Sequence, residues 1–296
     1  MNWLKKKSPP QGGIGLCLNS CYFGFFAHTG FLLELHRSGL PLRHVSGCSA
    51  GALVAGAYAG GIAPERLAHL VLRPDLWQYF LEWQLPWNLG RLLLNRPQAS
   101  GILNGHRLKG LLAKELEARH IEDCAHPRLS IAACNMTHTR QQLLEQGPIA
   151  DAIMASLAVP GMFQAQDFAG DLYWDGGIGD PLPVECFLDD PEVRVVILHV
   201  ARNGRAQSKG RRSPQALRFW SAIRRTPDIM ESELIRLKIE LLIAAGKEVW
   251  LFETRTPKSG PHRLHLGPAN LMRGRQTFVR QCAPVLQRHG LLAAAR

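Results

Sequence analysis

Apolar positions along this chain alternate between short β-like runs and longer stretches at helical spacing, and that alternation predicts the order of elements. Strands are expected at 13–19, 43–46, 128–134, 140–145, 171–174 and 193–200, and a further one over Val249–Glu253. Helices are expected at 26–38 and 50–60, from Pro64 with its proline in the first turn, and at 148–157. Another starts at Asn104 as N-cap, with Leu108, Leu111, Leu112 and Leu116 at helical spacing. Asp228 with Glu231 three residues on marks the start of a helix running to Gly246, and Thr277–Arg288 reads as a closing helix. Strands that alternate with helices in this way predict an α/β sandwich with a mostly parallel sheet.

Composition sets the scale of that fold. A chain of 296 residues with 46% hydrophobic and 20% charged residues can build one large α/β core, and wholesale disorder is excluded. The expected organisation is a basic tail over 1–12, a core over 13–200, a basic loop over 201–227, and a C-terminal part of the same domain over 228–296. Seven scattered cysteines with no C-x-x-C argue against a zinc site or disulfide framework and fit a reducing compartment; Cys17 and Cys21 read as core residues. The stretch from Ile14 to Leu33 carries no charge and follows Lys5-Lys6-Lys7. Gly15, Asn19, Ser20, Gly24 and Gly30 interrupt it, so strand, loop and helix fit better than a membrane anchor. A cytoplasmic protein, or one peripheral at a membrane, is the expectation.

The net charge of +11 is concentrated. Eight cations and no acid lie between Arg202 and Arg225. Such a block suits anionic lipid head groups or nucleic-acid phosphates, and no nucleic-acid motif accompanies it. A lipid surface is therefore the expected partner, with Arg211, Arg212, Arg224 and Arg225 as contacts; a solvated loop without a partner is the plainer alternative. The aromatic-rich stretch from Leu76 to Leu94 is too short and too polar to span a bilayer. Buried packing and an interfacial lid are both open for it.

The chemistry is concentrated in two short motifs. Gly47-Cys48-Ser49-Ala50-Gly51 stands between an expected strand and an expected helix. Glycines on either side let the backbone turn sharply, which holds the serine hydroxyl over the helix N-terminus, where unpaired N–H groups favour an alkoxide or oxyanion. The plainer alternative is a serine that caps the helix. A nucleophilic serine needs a base, and Asp171-Leu172-Tyr173-Trp174-Asp175-Gly176-Gly177 offers a carboxylate at a strand end before a glycine pair. Asp175 and Ser49 can meet only through the fold. Read alone, the second motif is also an ordinary strand-end turn.

Taken in order, these motifs resemble the patatin-like phospholipases, serine lipid acyl hydrolases with a Ser–Asp dyad. The resemblance runs from about Ile14 to Val184. It includes Gly47-Cys48-Ser49-Ala50-Gly51, Asp175-Gly176-Gly177, Ala27-His28-Thr29-Gly30-Phe31-Leu32 and Ala155-Ser156-Leu157-Ala158-Val159-Pro160-Gly161-Met162-Phe163. It implies a three-layer α/β/α sandwich, Ser49 as nucleophile, Asp175 as general base, an acyl ester of a lipid as substrate, and no metal or organic cofactor. The chain departs from the family pattern before the first helix. A G-G-G-x-[RK]-G loop is usual there; this chain has Ser20-Cys21-Tyr22-Phe23-Gly24-Phe25, with one glycine. Pro181 also stands where the family often has asparagine. Two other functions stay open. One is a non-catalytic lipid-binding or regulatory protein on the same scaffold. The other is a Ser–Asp–His carboxylesterase, with His199 the leading histidine ahead of His262, His265 and His289.

Overall fold

The computed structural model describes residues 12–80, 82, 85–94, 96, 100–204, 226–257 and 259–292. Arg211, Arg212, Arg224 and Arg225 of the expected basic loop lie outside these residues, as does the N-terminal tail to position 11.

Among the described residues the strands are β1 (Gly13–Leu18), β2 (Leu42–Cys48), β3 (Gly101–Leu103), β4 (Arg128–Asn135), β5 (Arg140–Leu144), β6 (Gly161–Phe163), β7 (Gln166–Phe168), β8 (Asp171–Asp175), β9 (Val193–Asn203) and β10 (Glu248–Thr256). The helices are α1 (Phe25–Arg37), α2 (Ala50–Ala59), α3 (Pro64–Val71), α4 (Trp77–Phe80), α5 (Leu85–Leu93), α6 (His106–Glu115), α7 (Ile149–Leu157), α8 (Glu185–Leu188), α9 (Thr226–Ala244), α10 (Gly267–Thr277) and α11 (Ala283–Arg288). The main sheet runs β10-β9-β1-β2-β4-β8-β7, with β5 also on β4. Pairing is parallel from β10 to β4 and antiparallel beyond it, and β3 pairs separately with β6.

The layers follow from side-chain alternation along the central strands. Leu16 and Leu18 of β1 and Val195 and Ile197 of β9 enter one apolar core with residues of α1, α2, α7 and α10. Cys17, Val196, Leu198 and Val200 point the other way, into a second core closed by Phe187 of α8 and Ile235 and Leu242 of α9. Successive side chains on a strand face opposite sides, so the unbroken run Val195–Leu198 is what a strand covered on both faces requires. The result is the expected three-layer sandwich around a mostly parallel sheet.

The uncharged stretch after position 13 folds as β1, a turn and α1. Among the described residues no helix is long and apolar enough to cross a membrane. Two expectations are corrected. The helix expected to start from Asn104 begins at His106, behind Gly105 at φ +80°. The closing helix expected over Thr277–Arg288 is the end of a longer arm: α10 comes first and passes through a π-helical turn, Phe278–Cys282, into α11. Strands β3, β6 and β7 have three residues each, too short to leave a periodic signal in the sequence.

Candidate active site

Strand β4 brings the two motifs together. One edge of β4 pairs with β5 from Ile131 to Asn135, so β2 and β8 share the other edge. They arrive from opposite directions and end on consecutive residues, with Cys48 opposite Ala132 and Asp175 opposite Ala133. Ser49, the next residue after β2, therefore faces the last residue of β8.

The local chain conformation is set by close backbone packing. A Cβ on Gly47 would lie 2.4 Å from the Gly51 carbonyl oxygen, and one on Gly51 would lie 2.2 Å from the Leu18 carbonyl oxygen. Neither side chain fits, which explains both glycines of the motif. Ser49 itself sits at φ +52° and ψ −118°, a sparsely populated conformation for a residue with a Cβ. Its hydroxyl makes no cap bond to α2. The Oγ instead donates to Asp175 Oδ2 at 2.6 Å, and this removes the capping alternative.

Asp175 is held from both sides. Its Oδ1 accepts from the Gly177 amide at 2.7 Å, and its own N–H donates to the Ala158 carbonyl at 2.9 Å. Burial raises the Asp175 pKa to about 6, against the opposing hydrogen bonds from Ser49 and Gly177. Desolvation disfavours the charged carboxylate, so the ionised form is a stronger base than an exposed aspartate. The arrangement can take a proton from Ser49 near neutral pH.

Ser156 is a residue that motif reading quoted without a role. Its Oγ accepts from the Ser49 N–H at 2.8 Å and donates to the Ala132 carbonyl at 2.6 Å. One stretch, Ser156 to Ala158, thus fixes the backbone of both Ser49 and Asp175. Ser156→Ala leaves the buried Ser49 N–H and Ala132 oxygen without that partner. We expect a loss of about 1–3 kcal/mol in denaturant unfolding, and a drop of about ten- to a hundredfold in Ser49 reactivity from the slackened geometry. Wild-type reactivity in a folded variant would contradict this role.

The glycine-poor loop turns without the usual glycines. Gly24 N donates to the Cys21 carbonyl at 2.7 Å, closing a turn whose third residue, Phe23, lies at φ +54°. Position three of such a turn normally favours glycine. Phe23 is kept there by its ring, packed at 5.5 Å from Phe25 and 5.6 Å from Phe80. The loop is clamped elsewhere. Ser20 N donates to the Pro181 carbonyl, Asn19 Nδ2 to the Ser20 carbonyl and Asn203 Nδ2 to the Tyr22 carbonyl. Pro181, the second departure from the family pattern, contributes the carbonyl that holds the loop. The amides of Cys21, Tyr22 and Phe23 form none of these bonds, and all three residues line the same cavity as Ser49.

That cavity encloses about 840 Å³ of atom-free space, its open mouth included. Its wall runs from Ser49 along Ala50, Leu53 and Ala57 of α2, past Ile62, Leu67 and Leu70, to Leu108, Leu112 and Glu115 of α6. The aromatic-rich stretch is divided. Leu76 and Phe80 line the cavity, while Trp87, Leu89, Leu93 and Leu94 of α5 and the residue after it are exposed, Trp87 at 72%. Among the described residues no three of His, Cys, Asp and Glu converge as a metal site would require.

His199 is committed elsewhere. Its Nδ1 faces His28 Nδ1 at 2.8 Å and its Nε2 faces Thr254 Oγ1 at 2.8 Å, both fully buried, while His28 Nε2 donates to the Asn19 carbonyl at 3.0 Å. Burial lowers the pKa of both rings, His28 to about 4. A histidine with both ring nitrogens engaged in a buried chain does not serve Asp175 as the third member of a triad. A Ser–His–Asp set does exist near the start of β2 and β4: His44 Nε2 is 2.8 Å from Ser130 Oγ and Nδ1 is 3.2 Å from Asp190 Oδ2. Ser130 is fully buried and bonds onward to Glu145, so no substrate reaches it. These residues tie strand starts together at the end of the sheet remote from Ser49.

The model of the patatin-like phospholipase family matches residues 16–188, more than half of the chain. An uncharacterized NTE family protein of Mycobacterium tuberculosis is 30% identical over 181 residues, covering 61% of this chain and 47% of that protein. The chain thus spans about half the length of this mycobacterial relative. A protein named lysophospholipase NTE1 in Cryptococcus neoformans is 23% identical over 192 residues, 63% of this chain and 11% of its own. Among solved structures, VipD from Legionella pneumophila has a TM-score of 0.50 at 16% identity, over 93% of this chain and 68% of that one. That likeness concerns the fold.

Proposed function

We propose that this chain, which belongs to the patatin-like phospholipase family, hydrolyses acyl ester bonds of lipids through Ser49 and Asp175. The observation that carries the reading is the 2.6 Å bond from Ser49 Oγ to a buried carboxylate, made beside an apolar cavity that Ser49 lines. Asp175 Oδ2 takes the Ser49 proton as Oγ attacks the ester carbonyl carbon. The donors we assign to the tetrahedral oxyanion are the amides of Cys21, Tyr22 and Phe23, residues that line the cavity beside Ser49, and those of the first turn of α2. Collapse breaks the ester bond, and protonated Asp175 returns its proton to the departing alkoxide, leaving an acyl-Ser49. Water then attacks that acyl group, gives its proton to Asp175, and Ser49 leaves with the proton as the fatty acid is released.

The apolar cavity that Ser49 lines suits an acyl chain, and a lysophospholipid, which carries one, is the first substrate to test. The name of the fungal relatives agrees with that choice. Purified protein should release fatty acid from lysophosphatidylcholine, and Ser49→Ala should release none. A non-catalytic lipid-binding scaffold would bind the lipid without turnover. The exposed Trp87, Leu93 and Leu94 suit contact with a lipid surface, where an amphipathic face sits at the head-group level. Replacing all three by serine should weaken binding to anionic vesicles at least tenfold and leave hydrolysis of a short soluble ester unchanged.

The pH profile follows from Asp175. The reaction needs its carboxylate ionised, and its pKa is raised to about 6. kcat/KM should therefore be flat above about pH 7 and fall tenfold per unit below pH 6. A profile controlled by a group near pH 4 would contradict the burial-raised pKa of Asp175.

A further inference from the structure

The cavity has a polar stop at its far end. Ala50, Leu53 and Ala57 form a stripe along α2 that begins next to Ser49, and Leu108, Leu112 and Glu115 form the matching stripe along α6. The two helices meet at their C-terminal ends: Leu116 packs so closely on Gly60 that a Cβ there would lie 2.4 Å from it. Glu115 is therefore at the end of the cavity remote from Ser49. It is a carboxylate in a lining that is otherwise uncharged. Its two oxygens receive Arg66 Nη2 at 2.8 Å and Nε at 3.2 Å, a two-point pairing. Arg66 comes from α3 with its side chain 59% exposed, so the pair stands between the apolar channel and solvent.

We propose that the Glu115–Arg66 pair closes the distal end of the acyl channel and sets the longest chain that is used efficiently. The inference rests on the hydrolase reading above. From Ala50 to Ala57 the channel follows seven helical residues, about 10 Å at the usual rise. With C–C bonds of about 1.5 Å in a zigzag, that length holds roughly eight to ten carbons. A longer chain must push its apolar end against a hydrated ion pair. Exposed pairs of this kind are held weakly, so the stop discriminates by length without an absolute block.

The test is the chain-length profile of p-nitrophenyl esters from C4 to C16, presented in one detergent micelle. The wild type should peak near C8 to C10. Glu115→Ala should raise the C16 to C8 ratio of kcat/KM at least tenfold, since each newly seated methylene is worth a factor of about four. Arg66→Ala, which frees the Glu115 carboxylate to swing outward, should move the ratio the same way. Ala57→Leu, which narrows the channel near its distal end, should move the peak to a shorter chain than in the wild type. Cooperative thermal unfolding shows that each variant is folded. Ratios within twofold of wild type in folded Glu115→Ala and Arg66→Ala would overturn the stop. No turnover of any ester by the wild type would overturn the hydrolase reading, and the stop with it.

Discussion

Asp175→Asn should lower kcat/KM by about 10²–10⁴-fold, while making the protein more stable at pH 8. Both effects come from the same burial. Asp175 is 5% exposed, and its pKa rises from 3.8 to about 6 on folding. Below pH 4 the carboxyl is protonated in both the folded and unfolded chain, and folding meets no charge. Between pH 4 and pH 6 the unfolded chain loses that proton while the folded chain keeps it, so stability falls as pH rises. Above pH 6 the loss is complete and amounts to about 3 kcal/mol. An asparagine of the same shape can accept from the Gly177 amide and never ionises. The stability difference between variant and wild type should thus be near zero at pH 4 and grow to about 3 kcal/mol at pH 8, several degrees in Tm for a chain of this size. Denaturant titrations of the two proteins across that range measure it. A difference that does not change with pH would show that Asp175 is not a desolvated base.

Gly51→Ala should cost at least about 2–3 kcal/mol and remove activity, although it adds a single methyl group. That methyl would lie 2.2 Å from the Leu18 oxygen and 2.8 Å from the Asn19 oxygen. Both neighbours are backbone, so a side chain cannot rotate away to relieve the contact. Either α2 lifts off the end of β1 or the chain after β1 shifts. The first moves Ser49 away from Asp175, and the second displaces the loop whose Cys21, Tyr22, Phe23 and Phe25 line the cavity beside Ser49. Thermal unfolding together with Ser49 reactivity measures both consequences. A variant with wild-type stability and full reactivity would mean that the strand-to-helix turn has slack which the packing around Gly51 does not allow.

The candidate site was legible in the sequence to the extent that it is local. A serine between two glycines at a strand-to-helix junction, and an aspartate before a glycine pair, each carry their geometry within a few residues. What joins them is not local. Nothing in the strand patterns of β2 and β8 indicates that both end on one edge of β4, at Ala132 and Ala133. Ser156 was hidden for a related reason. A serine near the end of an apolar helix has no pattern to mark it, and its role comes from meeting the Ser49 amide 107 residues away in sequence.

Helix α10 shows the opposite failure, in which local signals mislead. The closing helix was expected over Thr277–Arg288, and α10, with Gly267, Pro268 and Gly274, lies before it. Gly274 instead lets α10 press onto α1, where a Cβ would lie 2.0 Å from the Ala27 carbonyl oxygen, and Gly30 of α1 meets the Leu271 backbone as closely. The small residues serve helix-to-helix contact. The loop from Ser20 to Phe25 makes a similar point. Its single glycine departs from the family pattern, yet Phe23 takes the glycine conformation and its aromatic neighbours keep it there.

The most direct test of Ser49 as an activated nucleophile is labelling by a fluorescent fluorophosphonate at pH 8, wild type beside Ser49→Ala. Ser49 should form a covalent adduct, slowing as the pH falls through 6, and the folded variant should form none. A folded wild type that takes up no probe, or a variant that takes up as much as wild type, would contradict the assignment of Ser49 and Asp175 as the reacting pair.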